Sequence, residues 1–175
     1  MWVFGYGSLL WNPGFEFVEK QIACLHGYHR SFCMRSIHHR GTVADPGLVL
    51  ALDRHQGAKC QGVAFRVASE NVEATLSYLR DRELVSSAYL EVTLPIDLTE
   101  GTTVDAVIYV IDETHDQYCG GLPLAEQARI LSKAVGGLGP NWEYLYNTAA
   151  HLAELNIVDA DLQWLDREVK SMRGE

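Results

Sequence analysis

The order of strand-like and helix-like segments along the chain limits the folds that it can adopt. Through the first two-thirds of the sequence, short runs of β-branched and aromatic residues are bounded by Gly, Pro and Asp, which is typical of strands. The last third is helical in pattern. Because strands and helices do not alternate, we expect an α+β fold with a mixed or antiparallel sheet, of the kind that can curl into a small barrel with flanking helices, rather than a doubly wound parallel sheet. The predicted strands are Trp2–Phe4, Phe15–Leu25, Tyr28–Arg35, Leu48–Asp53, Cys60–Val67, Tyr89–Pro95 and Thr103–Ile111.

Four helices are predicted, one within the strand-rich part and three after it. Ser69 is a candidate N-cap for the first helix, and Gly136-Gly137 is a candidate C-cap for the second. Because no Pro/Ser-rich linker separates the segments, we expect a single domain over residues 1–175. The apolar stripe of the last helix consists of Leu162, Leu165, Val169 and Met172. The predicted helices run from Glu70 to about Glu83, from after Pro123 to Gly136, from about Asn141 to Leu155, and onwards from Asp159.

The charge of the chain narrows the class of partner. A net charge of −9 argues against nucleic acid or an anionic membrane surface, because both need clustered Lys and Arg. A small anionic ligand needs only a local positive patch. No apolar run is long enough to span a bilayer, and the N-terminus lacks the basic region of a signal peptide. We therefore expect a cytoplasmic protein that acts on a small molecule.

Histidine and cysteine residues do not form a recognised metal-binding pattern. The pairs His26/His29 and His38/His39 lie outside the predicted helices and have no carboxylate or Cys at a ligand spacing, so no metal is expected. The cysteines form no Cys-x-x-Cys pair and most lie in apolar runs, which favours reduced, buried thiols over a nucleophile or a disulfide. They are Cys24, Cys33, Cys60 and Cys119.

An acidic residue continues the apolar stripe of the first predicted helix. The stripe consists of Val72, Leu76 and Leu79. The next position on this face is Glu83, which lies within about 20° of Val72 around the helix axis. A carboxylate directed into the interior costs several kcal/mol unless it is paired or protonated, so Glu83 is a candidate general base with a raised pKa. A buried ion pair with a neighbouring Arg, or a frayed helix end, explains the pattern equally well; Arg82 points roughly 100° away on a regular helix and is not the expected partner.

The segment after the first predicted strand is suited to gripping a ligand through its backbone. It reads Gly5-Tyr6-Gly7-Ser8-Leu9-Leu10, and its two close glycines let backbone N–H groups approach a ligand. A Walker A loop is excluded because no Gly-Lys-Ser/Thr follows. The dinucleotide fingerprint is excluded because Leu10 stands where its third glycine would be. Alone, such a turn is more often structural than functional.

The longer N-terminal sequence that contains this turn is a more specific indicator of function than the turn alone. Val3-Phe4-Gly5-Tyr6-Gly7-Ser8-Leu9 resembles the substrate-binding signature of the γ-glutamylcyclotransferase superfamily, and the start from Met1 to Trp11 resembles its ChaC-type, glutathione-specific branch. Further blocks follow in the family's order, and the resemblance extends from Met1 to about Leu155. These blocks are His39-Arg40-Gly41-Thr42 with Pro46–Leu50, Gly62–Phe65, Tyr78–Glu83 and Glu143-Tyr144-Leu145.

The resemblance implies a γ-glutamylcyclotransferase-like fold and an activity. The implied reaction is intramolecular cyclisation of the γ-glutamyl group of glutathione, which gives 5-oxoproline and Cys-Gly, with Glu83 as the catalytic base and no cofactor or metal. Two alternatives stay open: cyclisation of other γ-glutamyl amino acids or amines, and a non-catalytic γ-glutamyl-binding module. The sequence leaves the oligomeric state open.

The same resemblance supplies the substrate contacts. Val3, Phe4, Gly5, Tyr6, Gly7, Ser8 and Leu9 would bind substrate together with Tyr89 and Tyr144. From their residue types, His39 and Arg40 either orient the substrate or brace their loop. Arg35 and Arg40 can supply charge to an anionic peptide or form surface ion pairs.

Overall fold

Five strands close into a barrel in the computed structural model, which describes residues 1–84 and 86–175. Around the barrel the strands follow the order β1-β3-β2-β4-β5, and the pairing of β1 with β5 closes it. That pairing is parallel, whereas β1–β3, β2–β4 and β4–β5 are antiparallel. The expected α+β fold with a mixed barrel is therefore confirmed. The strands are β1 (Trp2–Gly5), β2 (Glu19–Ser36), β3 (Gly47–Arg66), β4 (Tyr89–Leu98) and β5 (Thr103–Ile111).

Two of these strands are longer than predicted, because each contains a glycine that was interpreted as a break. Tyr28–Arg35 and the second half of Phe15–Leu25 are one strand, β2, and Gly27 within it has φ +79°. Leu48–Asp53 and Cys60–Val67 are likewise joined in β3, which contains Gly57 with φ +82°. A glycine in this left-handed conformation bends a strand without ending it, as in a β-bulge.

The four predicted helices are all present, and two of their ends differ from the prediction. Ser69 belongs to a short 3₁₀ turn, and the N-cap position of the first helix is occupied by Asn71 instead. The second helix ends well before Gly136-Gly137, because Val135–Gly136 pairs with Gly139–Pro140 in a two-stranded ribbon instead. The ribbon strands are β6 (Val135–Gly136) and β7 (Gly139–Pro140); the helices are α1 (Val72–Glu83), α2 (Leu124–Leu131), α3 (Asn141–Glu154) and α4 (Ala160–Arg173).

The last helix follows its predicted pattern except at its end. The side chain of Asp159 caps α4 by accepting a hydrogen bond of 3.1 Å from the Leu162 backbone N–H. The predicted stripe is buried as far as Val169, but Met172 is 48% exposed. Met172 lies in the last turn of α4, where residues 171–175 are all exposed, so its exposure follows from its place at the end of the helix.

The chain divides into two compact units. The first comprises Met1–Arg30 and Leu52–Asp116, and the second comprises Ser31–Ala51 and Gln117–Glu175. The expectation of a single domain is not tested by this division and stays a prediction. In the second unit α2, α3 and α4 pack against one another. No helix in residues 1–84 and 86–175 is both long and apolar enough to cross a membrane.

The first unit has two apolar clusters, and β1 contributes to both. Phe4 lies in the larger cluster among residues of all five strands, and Val3, on the opposite face, lies in a smaller one that includes Leu79 of α1. The side chains of Val3 and Phe4 are both completely buried. The smaller cluster therefore fixes α1, which carries Glu83, beside β1 and the Ser8–Leu10 turn that follows it. Its buried members are Val3, Leu9, Val67, Leu79, Val107 and Tyr109.

Candidate active site

Glu83 is the last residue of α1, and its side chain is only 18% exposed. The prediction that this helix turns a carboxyl group inward is confirmed. On the same helix, Leu79 is completely buried and Thr75 nearly so, which shows the face that packs into the interior of the first unit. Burial raises the pKa of the Glu83 carboxyl above its ordinary value, and the neighbouring Arg82 charge offsets part of that rise.

The expectation that Arg82 is not the partner of Glu83 is wrong. Arg82 Nε lies 3.2 Å from Glu83 Oε1. Although the two Cα–Cβ bonds diverge by about 100° on a regular helix, the helix ends at Glu83, so the long Arg side chain reaches its neighbour without crossing another turn. A carboxyl group with a raised pKa and a shielded ion pair with an Arg, which the sequence left as alternatives, occur together.

The segment Gly5–Leu10, which begins at the end of β1, is held close to the barrel by small residues. A Cβ on Gly62 of β3 would lie 2.4 Å from the Gly5 carbonyl oxygen, so only glycine lets β3 approach β1 this closely. Gly5 in turn lies against Leu9, whose Cβ would be 3.0 Å from a Cβ on Gly5. The chain then enters a 3₁₀ turn, Ser8–Leu10, in which Leu10 N–H donates to the Gly7 carbonyl at 2.9 Å.

That turn presents two backbone donors. In a 3₁₀ segment the first N–H groups have no carbonyl partner inside the segment, and here these belong to Ser8 and Leu9. The side chains of Val3 and Phe4 are buried in the two apolar clusters, so these two residues can contact a ligand only through their backbone. The substrate-binding role of Val3–Leu9 stays a prediction.

Tyr6 braces this segment internally. Its hydroxyl donates to the Tyr109 carbonyl at 2.9 Å, and its own carbonyl accepts from Arg30 Nη1 at 3.0 Å. Arg30 is 3% exposed and also donates to the Gln61 carbonyl at 2.9 Å. The sequence did not single out Arg30, because nothing local marks a buried arginine that binds backbone carbonyls of two other segments.

A second tyrosine network lies on β4 and β5. The Tyr109 hydroxyl donates to Glu91 Oε2 at 2.9 Å, and Arg80 holds both oxygens of the same carboxylate at 2.8 and 2.7 Å. Burial raises the pKa of Tyr109, as do its bond to Glu91 and the charge of Glu83. Arg80 lowers the pKa of Glu91, which stays ionised. Tyr89, at the start of β4, packs against the smaller apolar cluster; its contact with substrate stays a prediction.

The remaining predicted contacts belong to the second unit. The Arg40 guanidinium lies 5.7 Å from the centre of the Tyr144 ring and donates to the Pro140 carbonyl at 3.1 Å, so this arginine braces its loop. The His39 carbonyl accepts from Leu138 N–H. Arg35 forms a backbone bond of 2.8 Å with Gln117. Roles of Arg35, His39, Arg40 and Tyr144 toward a substrate stay predictions.

Within the first unit, the residues form a site suited to proton transfer. A shielded carboxyl group with a raised pKa lies on a helix that packs against the same cluster as Leu9 of the turn. The turn offers backbone N–H donors, and Arg82 joins the carboxyl to Ser8 through a bond of 2.8 Å to its hydroxyl. Such an arrangement can accept a proton from a substrate while donors stabilise negative charge on a carbonyl oxygen.

Comparisons with known proteins identify the family to which the chain belongs. The family described as ChaC-like protein matches residues 1–172. The chain is 38% identical over its full length to the glutathione-specific γ-glutamylcyclotransferase of Escherichia coli, of which it covers 75%, and 32% identical to the protein of the same name from Schizosaccharomyces pombe, with 97% of this chain and 91% of that protein covered. A crystal structure of a yeast γ-glutamylcyclotransferase specific to glutathione has the same fold, with a TM-score of 0.88 and 23% identity over 98% of this chain and 96% of that one. The chain therefore belongs to the ChaC-like protein family.

Proposed function

We propose that the protein is a glutathione-specific γ-glutamylcyclotransferase with Glu83 as its general acid and base. The observation that carries the proposal is the placement of Glu83: a helix directs its carboxyl group inward beside the Ser8–Leu10 turn, and burial raises its pKa. The family relatives from Escherichia coli and Schizosaccharomyces pombe bear the name of this activity.

The reaction is an internal transfer of an acyl group. The α-amine of the γ-glutamyl residue attacks its own γ-carbonyl carbon and forms a new C–N bond, which closes a five-membered lactam. The amide bond to the cysteine nitrogen breaks, and the proton lost by the attacking amine is gained by the leaving nitrogen. The products are 5-oxoproline and Cys-Gly, and water is not consumed.

Glu83 supplies the proton transfer. The α-amine is an ammonium at neutral pH and must lose a proton before it can attack. An ionised Glu83 accepts that proton and then delivers it to the leaving nitrogen. A raised pKa suits both steps, because a carboxyl closer to neutral pH is a stronger base when ionised and still a competent acid when protonated.

The 3₁₀ turn supplies electrostatic stabilisation. Negative charge develops on the γ-carbonyl oxygen as the amine attacks, and preorganised backbone donors stabilise such charge strongly. The N–H groups of Ser8 and Leu9 are available for this because the turn itself does not use them. Holding amine and carbonyl in contact removes much of the remaining barrier, since cyclisation depends on orientation.

Product analysis tests the proposed activity. The purified protein is incubated with glutathione in ¹⁸O-labelled water, and products are identified by mass spectrometry. Cyclisation predicts 5-oxoproline and Cys-Gly without ¹⁸O, whereas hydrolysis would give labelled glutamate. γ-Glutamyl-alanine and a γ-glutamylamine are tested in parallel. Faster turnover of either compound than of glutathione would show that the preferred substrate is another γ-glutamyl compound. Binding without product from all three would contradict the enzyme assignment.

A further inference from the structure

Arg82 contacts three separate segments around the candidate base. Its Nη2 donates to Ser8 Oγ at 2.8 Å, and its Nη1 donates to the Asn12 carbonyl at 2.7 Å. Nη1 also lies 3.3 Å from the Pro13 carbonyl and 3.0 Å from the Tyr78 hydroxyl. With Nε 3.2 Å from Glu83, every nitrogen of the guanidinium has a partner, and the side chain is only 20% exposed.

This set of contacts requires the geometry of an arginine. A guanidinium is planar and carries five N–H donors in a fixed fork, so the position of one nitrogen sets the positions of the others. In Arg82, the fork places Glu83 at Nε and Ser8 at Nη2. A lysine keeps the charge but has one nitrogen on a flexible chain, and it cannot hold both partners in one rigid relation.

The Ser8 hydroxyl accepts the hydrogen bond from Arg82 and can still donate one to a ligand. A serine hydroxyl has one hydrogen to donate and two lone pairs to accept with. The Arg82 N–H occupies one lone pair, so the Ser8 hydroxyl keeps its hydrogen and its second lone pair for a ligand. Ser8 can therefore donate a hydrogen bond from the first residue of the turn, whose first backbone N–H groups have no carbonyl partner inside the turn.

We propose that Arg82 is a positioning residue that holds the Glu83 carboxylate and the Ser8 hydroxyl in one fixed arrangement, so that base and substrate-binding turn act on the same ligand. The proposal rests on the proposed function of Glu83 as the base. It assigns to Arg82 two separable effects, one through its charge on Glu83 and one through its bonds to the turn and to residues 12–13.

The charge effect has a defined sign. Arg82 lowers the pKa of Glu83 against the larger, opposite effect of burial. From β5, Tyr109 interacts with Glu83, and Glu91 of β4 lies behind Tyr109 with its charge balanced by Arg80. Removing the Arg82 charge therefore raises the pKa of Glu83 further. Because the base acts in its ionised form, the acid limb of the kcat/KM profile moves to higher pH.

Two substitutions separate the effects. In Arg82→Met both are lost: the acid limb of kcat/KM rises by about one pH unit, as expected when an opposite charge in contact is removed, and KM for glutathione rises about tenfold with the lost charged hydrogen bonds. In Arg82→Lys the acid limb stays near its original pH, but KM stays raised. Arg129→Met is the matched control, because Arg129 pairs with Glu126 on an exposed face of α2 and its loss leaves both parameters unchanged.

A double-mutant cycle keeps the test decisive if Arg82→Met does not fold. Ser8→Ala and Arg82→Lys each raise KM, and their combination raises it by less than the product of the two, because both remove the same linkage. Multiplicative effects would overturn the proposal. So would an Arg82→Met protein in which kcat falls with neither a shifted acid limb nor a changed KM, since that pattern reports a merely structural role.

Failure of the positioning role is distinguishable from failure of the proposed function. Glu83→Gln tests the base by itself, without changing Arg82. Loss of activity in Glu83→Gln together with an unshifted profile in Arg82→Met overturns only the positioning role. Full activity in Glu83→Gln overturns the role of Glu83 as the base. The positioning role of Arg82 then fails too, because it depends on Glu83 being the base.

Discussion

Gly62→Ala is expected to disable the candidate site through a steric clash between β3 and β1. A Cβ at position 62 would lie 2.4 Å from the Gly5 carbonyl oxygen and 2.7 Å from Phe4 Cζ. Real Cβ atoms essentially never lie within 3.0 Å of another heavy atom, so β1 must move away from β3 by at least about 0.6 Å. The φ of Gly62 is not positive, so the backbone itself accepts alanine and the clash alone decides the outcome.

The displacement has two consequences of different size. Overpacking of this kind destabilises a protein by about 1–3 kcal/mol. Because Gly5 leads directly into the Ser8–Leu10 turn, the same movement shifts the backbone donors relative to Glu83. A misplacement of about 1 Å can reduce the rate by about 100-fold, so we expect kcat/KM for glutathione to fall at least tenfold.

The assay measures 5-oxoproline formation together with the free energy of unfolding in urea. Gln61→Ala is the control, because this neighbour on β3 has an exposed side chain and keeps the backbone carbonyl that Arg30 binds. It should leave both quantities close to those of the unaltered protein. A Gly62→Ala protein with kcat/KM within twofold of normal would refute the claim that close approach of β1 and β3 sets the turn.

Three further changes test the packing and electrostatics around these elements. Leu79→Ala, at a completely buried position of α1, should lower the free energy of unfolding by about 2–5 kcal/mol in urea denaturation, and a loss below 1 kcal/mol would contradict its place in the smaller cluster. Asp159→Ala removes the cap of α4 and should cost about 1 kcal/mol, whereas Asp161→Ala in the first turn should cost less; equal losses would argue against the cap. Glu83→Gln should stabilise the protein near neutral pH. Burial raises the pKa of Glu83 in the folded state, so the folded protein loses stability as the pH rises from the ordinary pKa of Glu through that raised pKa. Gln does not ionise and avoids this loss. Equal free energies of unfolding for both proteins at pH 5 and at pH 8 would contradict the prediction.

Helical periodicity predicted the most informative feature of the site from sequence alone. The spacing of Val72, Leu76 and Leu79 is local, and it is preserved in α1, so the inward direction of Glu83 could be read without tertiary information. β5 was likewise predicted with its observed limits, because its second part, Ala106–Ile111, is a continuous apolar run that ends at Asp112. In both cases one element's own sequence determines the result.

The features that were missed depend on residues far apart in the chain. Gly27 and Gly57 read as strand ends, although the pairing of neighbouring strands continues through them. Arg82 joins Ser8 across 74 positions, and neither residue carries a local sign of the other. The helical wheel even argued against the Arg82–Glu83 pair, because it describes Cα–Cβ directions and not the reach of a long side chain at a helix end.

The role of Glu83 as the base is the central claim, and kcat/KM of Glu83→Gln measures it most directly. Gln preserves the size and polarity of the side chain and removes only its ability to take a proton. Glu126→Gln, an exposed carboxylate on α2, serves as the matched control. We predict that Glu83→Gln forms 5-oxoproline from glutathione at least about 100-fold more slowly in kcat/KM while Glu126→Gln is unaffected. Equal kcat/KM for Glu83→Gln and the unaltered protein would contradict the account.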